Sequence, residues 1–133
     1  MPIVVDASSC LSFCLPDERS DYGEQLIRHI VRHGAFVPPL WETEMANGLL
    51  MAERERRISI SEVDAQMREL SGLPIDAKPV TLQDALAIAR QHKLTVYDAA
   101  YLRLAIVKRA TLATLDKDLK DAAKLVGIRL FQA

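Results

Sequence analysis

Apolar residues fall along this chain as short β-branched runs separated by longer stretches of helical spacing. Ile3-Val4-Val5, closed by Asp6, predicts a strand, and Ala7 to Leu15 a helix stopped by Pro16. From Tyr22 to His33, Leu26, Ile27, Ile30 and Val31 recur at helical spacing, with Gly34 placed as a C-terminal cap. Ala35-Phe36-Val37 predicts a second strand before Pro38-Pro39. Trp41 to Arg57 reads as a long helix with Trp41, Met45, Leu49 and Ala52 along one stripe, and Ser59 or Ser61 opens another that runs through Leu70. Ile75 to Val80 suits a third strand, Leu82 to His92 a helix, and Thr95 to Lys108 a further helix. Thr111 to Leu115 returns to strand, Asp116 to Leu125 forms a last helix capped by Gly127, and Ile128 to Phe131 a final edge strand.

Strands separated by helices argue for an α/β fold, because parallel neighbours need crossover connections and these are nearly always right-handed. The expectation is one domain, residues 1–133, with a parallel sheet of about five strands covered on both faces. In open sheets of this kind the ligand site lies beyond the carboxyl ends of the strands, where the winding reverses.

Composition agrees with a folded domain: 133 residues, 50% hydrophobic and 26% charged, enough to bury a core without disulfides. No apolar run approaches the roughly 20 residues that cross a bilayer, and the start, Met1-Pro2-Ile3-Val4-Val5-Asp6, lacks the basic opening of a signal peptide. A cytoplasmic protein with no membrane role is expected, and the four-residue spacing of Cys10 and Cys14 suits reduced thiols. The net charge of −1 is unlike that of proteins that grip nucleic acid by phosphate neutralisation, so any such activity must rest on local charge or on metal. There is no Gly-x-Ser-x-Gly elbow, no Gly-x-x-x-x-Gly-Lys phosphate loop, and no Gly-x-Gly-x-x-Gly after the first strand.

What the chain offers instead is carboxylates at strand ends. Asp6 and Asp116 each follow a strand directly. Asp98 lies in the first turn of its helix, and Glu44 lies early in the Trp41 helix with Asn47 one turn on. Each has a plainer explanation. Asp6 and Asp116 can cap the helices they precede, Asp98 completes a Thr-x-x-Asp capping box with Thr95, and a helical glutamate is commonly solvated. A cluster of hard oxygen donors suits Mg²⁺ or Mn²⁺ rather than zinc.

Val4-Val5-Asp6-Ala7-Ser8, Leu40-Trp41-Glu42-Thr43-Glu44-Met45-Ala46-Asn47, Thr95-Val96-Tyr97-Asp98-Ala99-Ala100-Tyr101 and Leu112-Ala113-Thr114-Leu115-Asp116-Lys117-Asp118-Leu119 resemble, in order and spacing, the motifs of PIN-domain nucleases. The nearest branch is the VapC-like toxins of type II prokaryotic toxin–antitoxin pairs, and the resemblance runs from about Pro2 to Phe131. It implies a three-layer α/β/α PIN-like fold and a metal-dependent endoribonuclease that hydrolyses RNA phosphodiester bonds to leave a 5′-phosphate. Asp6, Glu44, Asp98 and Asp116 match the family's acids, the Glu44 match resting on its Glu-x-x-Asn pattern with Asn47; Glu42 has no such asparagine. Ser8 and Thr114 match hydroxyl positions that orient neighbouring ligands. Asp118 reads either as an auxiliary acid or as a solvated helix residue. With two ions roughly 4 Å apart, one would activate water while the other stabilised the departing oxygen; the resemblance further implies an RNA substrate, a small antitoxin partner and a homodimer.

Two other readings stand beside it, and a third, a doubly wound fold binding a nucleotide, fares worst because no Gly-x-Gly-x-x-Gly follows the first strand. Cys10-x3-Cys14, fourteen residues, then His29-x3-His33 falls within the spacing of a Cys₂His₂ zinc site. A PIN-like scaffold or regulatory module without catalysis would keep the fold. Arg54, Arg56, Arg57, Lys108 and Arg109 are available to a nucleic-acid backbone, or form an ordinary solvated face.

Overall fold

In the computed structural model, which describes residues 1–132, every strand is three residues long. The order along the chain is β1 (Ile3–Val5), α1 (Ala7–Cys14), α2 (Asp21–His33), β2 (Ala35–Val37), α3 (Leu40–Arg54), α4 (Ile60–Ser71), β3 (Ile75–Ala77), α5 (Leu82–His92), α6 (Val96–Lys108), β4 (Thr111–Ala113) and α7 (Lys117–Leu125). The strands are parallel in the order β3-β2-β1-β4, with Val4 opposite Phe36 on one side and Leu112 on the other. The three residues of β1 are entirely buried, as expected for a central parallel strand covered on both faces.

Moving from β1 through β2 to β3, the sheet grows one way; the crossover from β3 to β4 returns past β1 and adds on its other side. With right-handed crossovers this puts α1 to α4 on one face and α5 to α7 on the other, three layers in all. The winding reverses between β1 and β4. α6 packs across β1, β2 and β4, and its Tyr101, Leu102, Leu104 and Ala105 belong to the main core with Val4, Leu26, Met45, Leu49 and Leu112.

Element ends depart from the periodicity where side chains intervene. α3 stops at Arg54, short of Arg57, because the chain reverses through Arg56 at φ 60° and Arg57 turns back to Asp17 (2.7 Å) and Glu18 (2.6 Å) of a short 3₁₀ turn, Pro16–Glu18. Ser59 is the residue that opens α4, in a capping box with Glu62. β3 ends at Ala77: Lys78 N still donates to Val37 O, but Pro79 can donate nothing. β4 ends at Ala113 because Thr114 turns its hydroxyl towards Asp6. Of the expected last strand only a bridge forms, Leu130 beside Leu112, held by Leu112 N to Arg129 O and Phe131 N to Leu112 O, each 2.9 Å. Among the described residues no helix is long and apolar enough to cross a membrane.

Candidate functional site

The carboxyl ends of β1 and β4, on either side of the reversal, deliver Asp6 and Asp116. Asp6 is 4% exposed and is the N-cap of α1, taking Ser9 N at 2.8 Å. The same oxygen accepts from the Ser8 hydroxyl at 2.8 Å, and its other oxygen accepts from Thr114. Thr114, 2% exposed, in turn accepts from Asp116 N at 3.1 Å, and Ser8 accepts from Leu115 N at 3.0 Å. Two hydroxyls thus stitch the end of β1 to the loop after β4. Burial raises the Asp6 carboxyl above its ordinary range, and the hydrogen bonds from Thr114, Ser9 and Ser8 oppose that rise.

Asp116 caps α7 through one carboxylate oxygen, which accepts from Leu119 N at 2.9 Å. The capping explanation for both aspartates is therefore correct as far as it goes, and neither cap precludes a further role. For Asp98 it holds only in part. Thr95 accepts from Asp98 N at 3.1 Å, but no reciprocal bond from the Asp98 side chain closes a capping box.

The Asp98 carboxyl is half-buried and is pushed up to about 6, first by burial and then by the negative charges of Asp116, Asp6 and Glu44. Asp98 therefore feels the charges of acids from three other segments at this edge of the sheet. Glu44, half-buried on α3, is itself raised by burial and by Asp6. It accepts a 2.6 Å hydrogen bond from the hydroxyl of Tyr101, a residue only 1% exposed on α6. Burial and the Glu44 carboxylate keep that hydroxyl protonated, so it can only donate. Tyr101 is the one site contact that motif reading left unassigned; its signal is the spacing Asp98 to Tyr101, one helical turn. Asn47 is exposed one turn beyond Glu44, and Asp118 is exposed on the first turn of α7.

The donor set is all oxygen and mutually repulsive, which fits a hard divalent cation in kind. Among the described residues no three Asp, Glu, His or Cys side chains stand close enough together to hold one ion as they lie. Cys10 and Cys14 are buried free thiols on α1, both raised by burial, Cys14 to about 12. His29 and His33 stack on each other at 4.8 Å on α2, with His29 also against Phe131. These four do not form a ligand set.

The five cations named from the sequence lie at the wrong end. α3 leaves the site edge at Leu40, so Arg54 stands about 15 Å beyond Glu44, at ~1.5 Å per residue. Lys108 is the same distance along α6 from Asp98, about 15 Å, and lies 4.7 Å over the Phe36 ring. Arg109 follows it, and Arg57 is paired with Asp17 and Glu18.

Acids at the carboxyl edge of the sheet, with Asp6 and Asp116 on either side of the winding reversal, belong to an open-sheet, doubly wound α/β protein. Residues 3–125 match the model of the PIN domain, and the chain belongs to the PIN-domain family. Its relatives are VapC-like. It is 33% identical over 125 residues to Ribonuclease VapC3 of Pyrobaculum aerophilum, covering 91% of this chain and 94% of that protein. It is 28% identical over 120 residues to Ribonuclease VapC3 of Mycobacterium tuberculosis, covering 90% and 86%. The solved structure of PAE2754 from Pyrobaculum aerophilum superposes with a TM-score of 0.72 over 92% of this chain and 86% of that one; at 24% identity it speaks for the fold.

Proposed function

We propose that this chain is a divalent-metal-dependent endoribonuclease, the cytoplasmic toxin of a toxin–antitoxin pair. Asp6, Glu44, Asp98 and Asp116 would hold Mg²⁺ or Mn²⁺, with Asp118 as a possible auxiliary acid. The observation that carries this reading is that Asp98, raised first by burial, also feels the negative charges of Asp116, Asp6 and Glu44. A fold gains nothing by gathering Asp6, Glu44, Asp98 and Asp116 at one edge unless a cation offsets their charge. The ribonuclease names of relatives matched over nine-tenths of the chain supply the substrate class.

The divalent cation, when bound, supplies a nucleophile at neutral pH and charge neutralisation at the phosphate. The protein's own part is positional. Ser8, Ser9 and Thr114 hold both oxygens of Asp6, Thr114 fixes the backbone of Asp116, and Tyr101 aims Glu44. Asn47, on the exposed turn after Glu44, would meet substrate or ligand waters from the α3 side. The expected partners are RNA, a small antitoxin that covers the acids, and a second copy of the chain.

The test is cleavage of a mixed RNA pool by the purified chain with Mg²⁺, with Mn²⁺ and with chelator, beside Asp98→Asn. Metal-dependent cleavage that disappears in a variant with an intact circular-dichroism spectrum is the expected result. Absence of both cleavage and Mn²⁺ binding would instead leave a PIN-like scaffold.

A further inference from the structure

Tyr97 is 63% exposed, and among the described residues it is the one aromatic side chain that is not buried or half-buried. Phe13, Phe36, Phe131 and Tyr22 are half-buried against the core, and Trp41 and Tyr101 lie within it. Other large side chains are exposed too, Leu82 and Leu125 among them, so it is the position of this ring that gives it meaning. It precedes Asp98 in the first turn of α6. It also lies four residues before Tyr101, so the two rings share a helix face, with Tyr97 one turn nearer the helix start. Tyr101 reaches Glu44 at 2.6 Å, so this face looks towards α3. Tyr97 therefore stands on the solvent side of the Glu44 contact, beside Asp98 at the start of α6.

The electrostatics there make an aromatic useful. Arg54, Arg56, Arg57, Lys108 and Arg109 lie at the far ends of α3 and α6 or just beyond them, and Lys117, next to Asp116, is drawn to Asp121 at 3.5 Å. An RNA strand arriving here meets carboxylates, and of these cations only Lys117, exposed at the start of α7, stands beside them. Stacking of an unpaired base is a source of affinity that needs no positive charge and has little sequence preference.

Resting on the nuclease reading above, we propose that Tyr97 is a base-stacking platform that seats one unpaired nucleobase next to the phosphate to be cut, which selects single-stranded over duplex RNA. The ring acts in binding and leaves the reacting atoms to the acids.

The experiment uses the full chain with Mn²⁺ and a short single-stranded RNA, taken from the pool the wild type cuts, carrying 2-aminopurine beside the cleaved bond. Tyr97→Ala is expected to raise KM by about 5- to 150-fold, the range of one lost base stack, with a smaller change in kcat. It should also abolish the 2-aminopurine quenching seen on binding. Tyr97→Phe should restore both, and Tyr97→Leu, which keeps apolar area without a ring, should not. An abasic nucleotide at the stacked position should raise the wild-type KM to that of Tyr97→Ala and leave the variant unchanged. The exposure of the ring makes misfolding improbable, and circular dichroism checks it. A wild type that cuts RNA while Tyr97→Ala keeps the same KM and quenching overturns this inference alone. Equal weakening of duplex and single-stranded RNA overturns it too. A wild type that neither binds nor cuts RNA overturns the nuclease reading and this one together.

Discussion

Asp98→Asn should make the metal-free protein more stable at neutral and alkaline pH while destroying its activity. The Asp98 carboxyl rises from 3.8 to about 6 on folding. A folded-state value above the unfolded one means that the native protein holds this proton more tightly. The stability it contributes is complete below 3.8 and is lost as the pH rises through about 6. About two pH units at ~1.4 kcal/mol each give about 3 kcal/mol, which solvent around a half-buried group reduces to about 1.5 kcal/mol. Asparagine forfeits a favourable charge at the start of α6, ~0.3–1 kcal/mol. The net gain is about 1 kcal/mol, or about 3–5 °C in melting temperature for a chain of this length. The assay is thermal unfolding of wild type and variant in chelator from about pH 4 to about pH 8. The gap should be absent at the acid end and open through the window from 3.8 to about 6. Added Mn²⁺ should then raise the wild type more than the variant and narrow or reverse it. A variant less stable than wild type at the alkaline end, or a gap independent of pH, would refute the argument that Asp98 is held against repulsion.

Thr114→Val keeps the shape of a buried side chain but removes the donor to Asp6 and the acceptor for Asp116 N. Denaturant unfolding should show a loss of about 1–3 kcal/mol, and RNA cleavage should fall ~10–100-fold. Tyr101→Phe leaves Glu44 without its donor; Mn²⁺ affinity by titration calorimetry should fall ~10–100-fold while the fold survives. Gly23→Ala adds a Cβ that would lie 2.9 Å from both the Ser12 carbonyl oxygen and its hydroxyl, where α2 crosses α1. The helix-propensity gain of ~1 kcal/mol should be outweighed, giving a net loss of about 1–2 kcal/mol in chemical denaturation.

The alternation of strand and helix was legible because these segments are strongly periodic, and the acids Asp6 and Asp116 were legible because a strand followed by an aspartate followed by a helix is a local pattern. What local pattern lacks is direction. Arg54 and Lys108 looked available to substrate on charge alone; the topology sends α3 and α6 away from the site edge and takes both cations with them. Element ends were misread where a distant partner decides them. Thr114 leaves the ladder for Asp6, more than a hundred residues away, and Arg57 leaves α3 for Asp17. The bond between Tyr101 and Glu44 spans 57 positions and two elements, and only its helical spacing from Asp98 hinted at it.

These contacts divide the site into a fixed half and a softer one. Asp6 is buried, with both oxygens occupied and its partners Ser8 and Thr114 anchored on either side of the winding reversal. Glu44 and Asp98 are half-buried on separate helices, Glu44 tied by Tyr101 and Asp98 by its Thr95 cap. Burial first, and then the charges of Asp116, Asp6 and Glu44, push Asp98 to about 6, with few hydrogen bonds to oppose them. Its helix is nonetheless well placed: Ala85 and Ala89 of α5 pack against Ala99 and Ala100 of α6, and side chains this small let the two helices approach closely. α6 is therefore seated independently of the charge at its start. On the proposed reading a cation would be met by the side chains of Glu44 and Asp98, with α6 already held in place by α5.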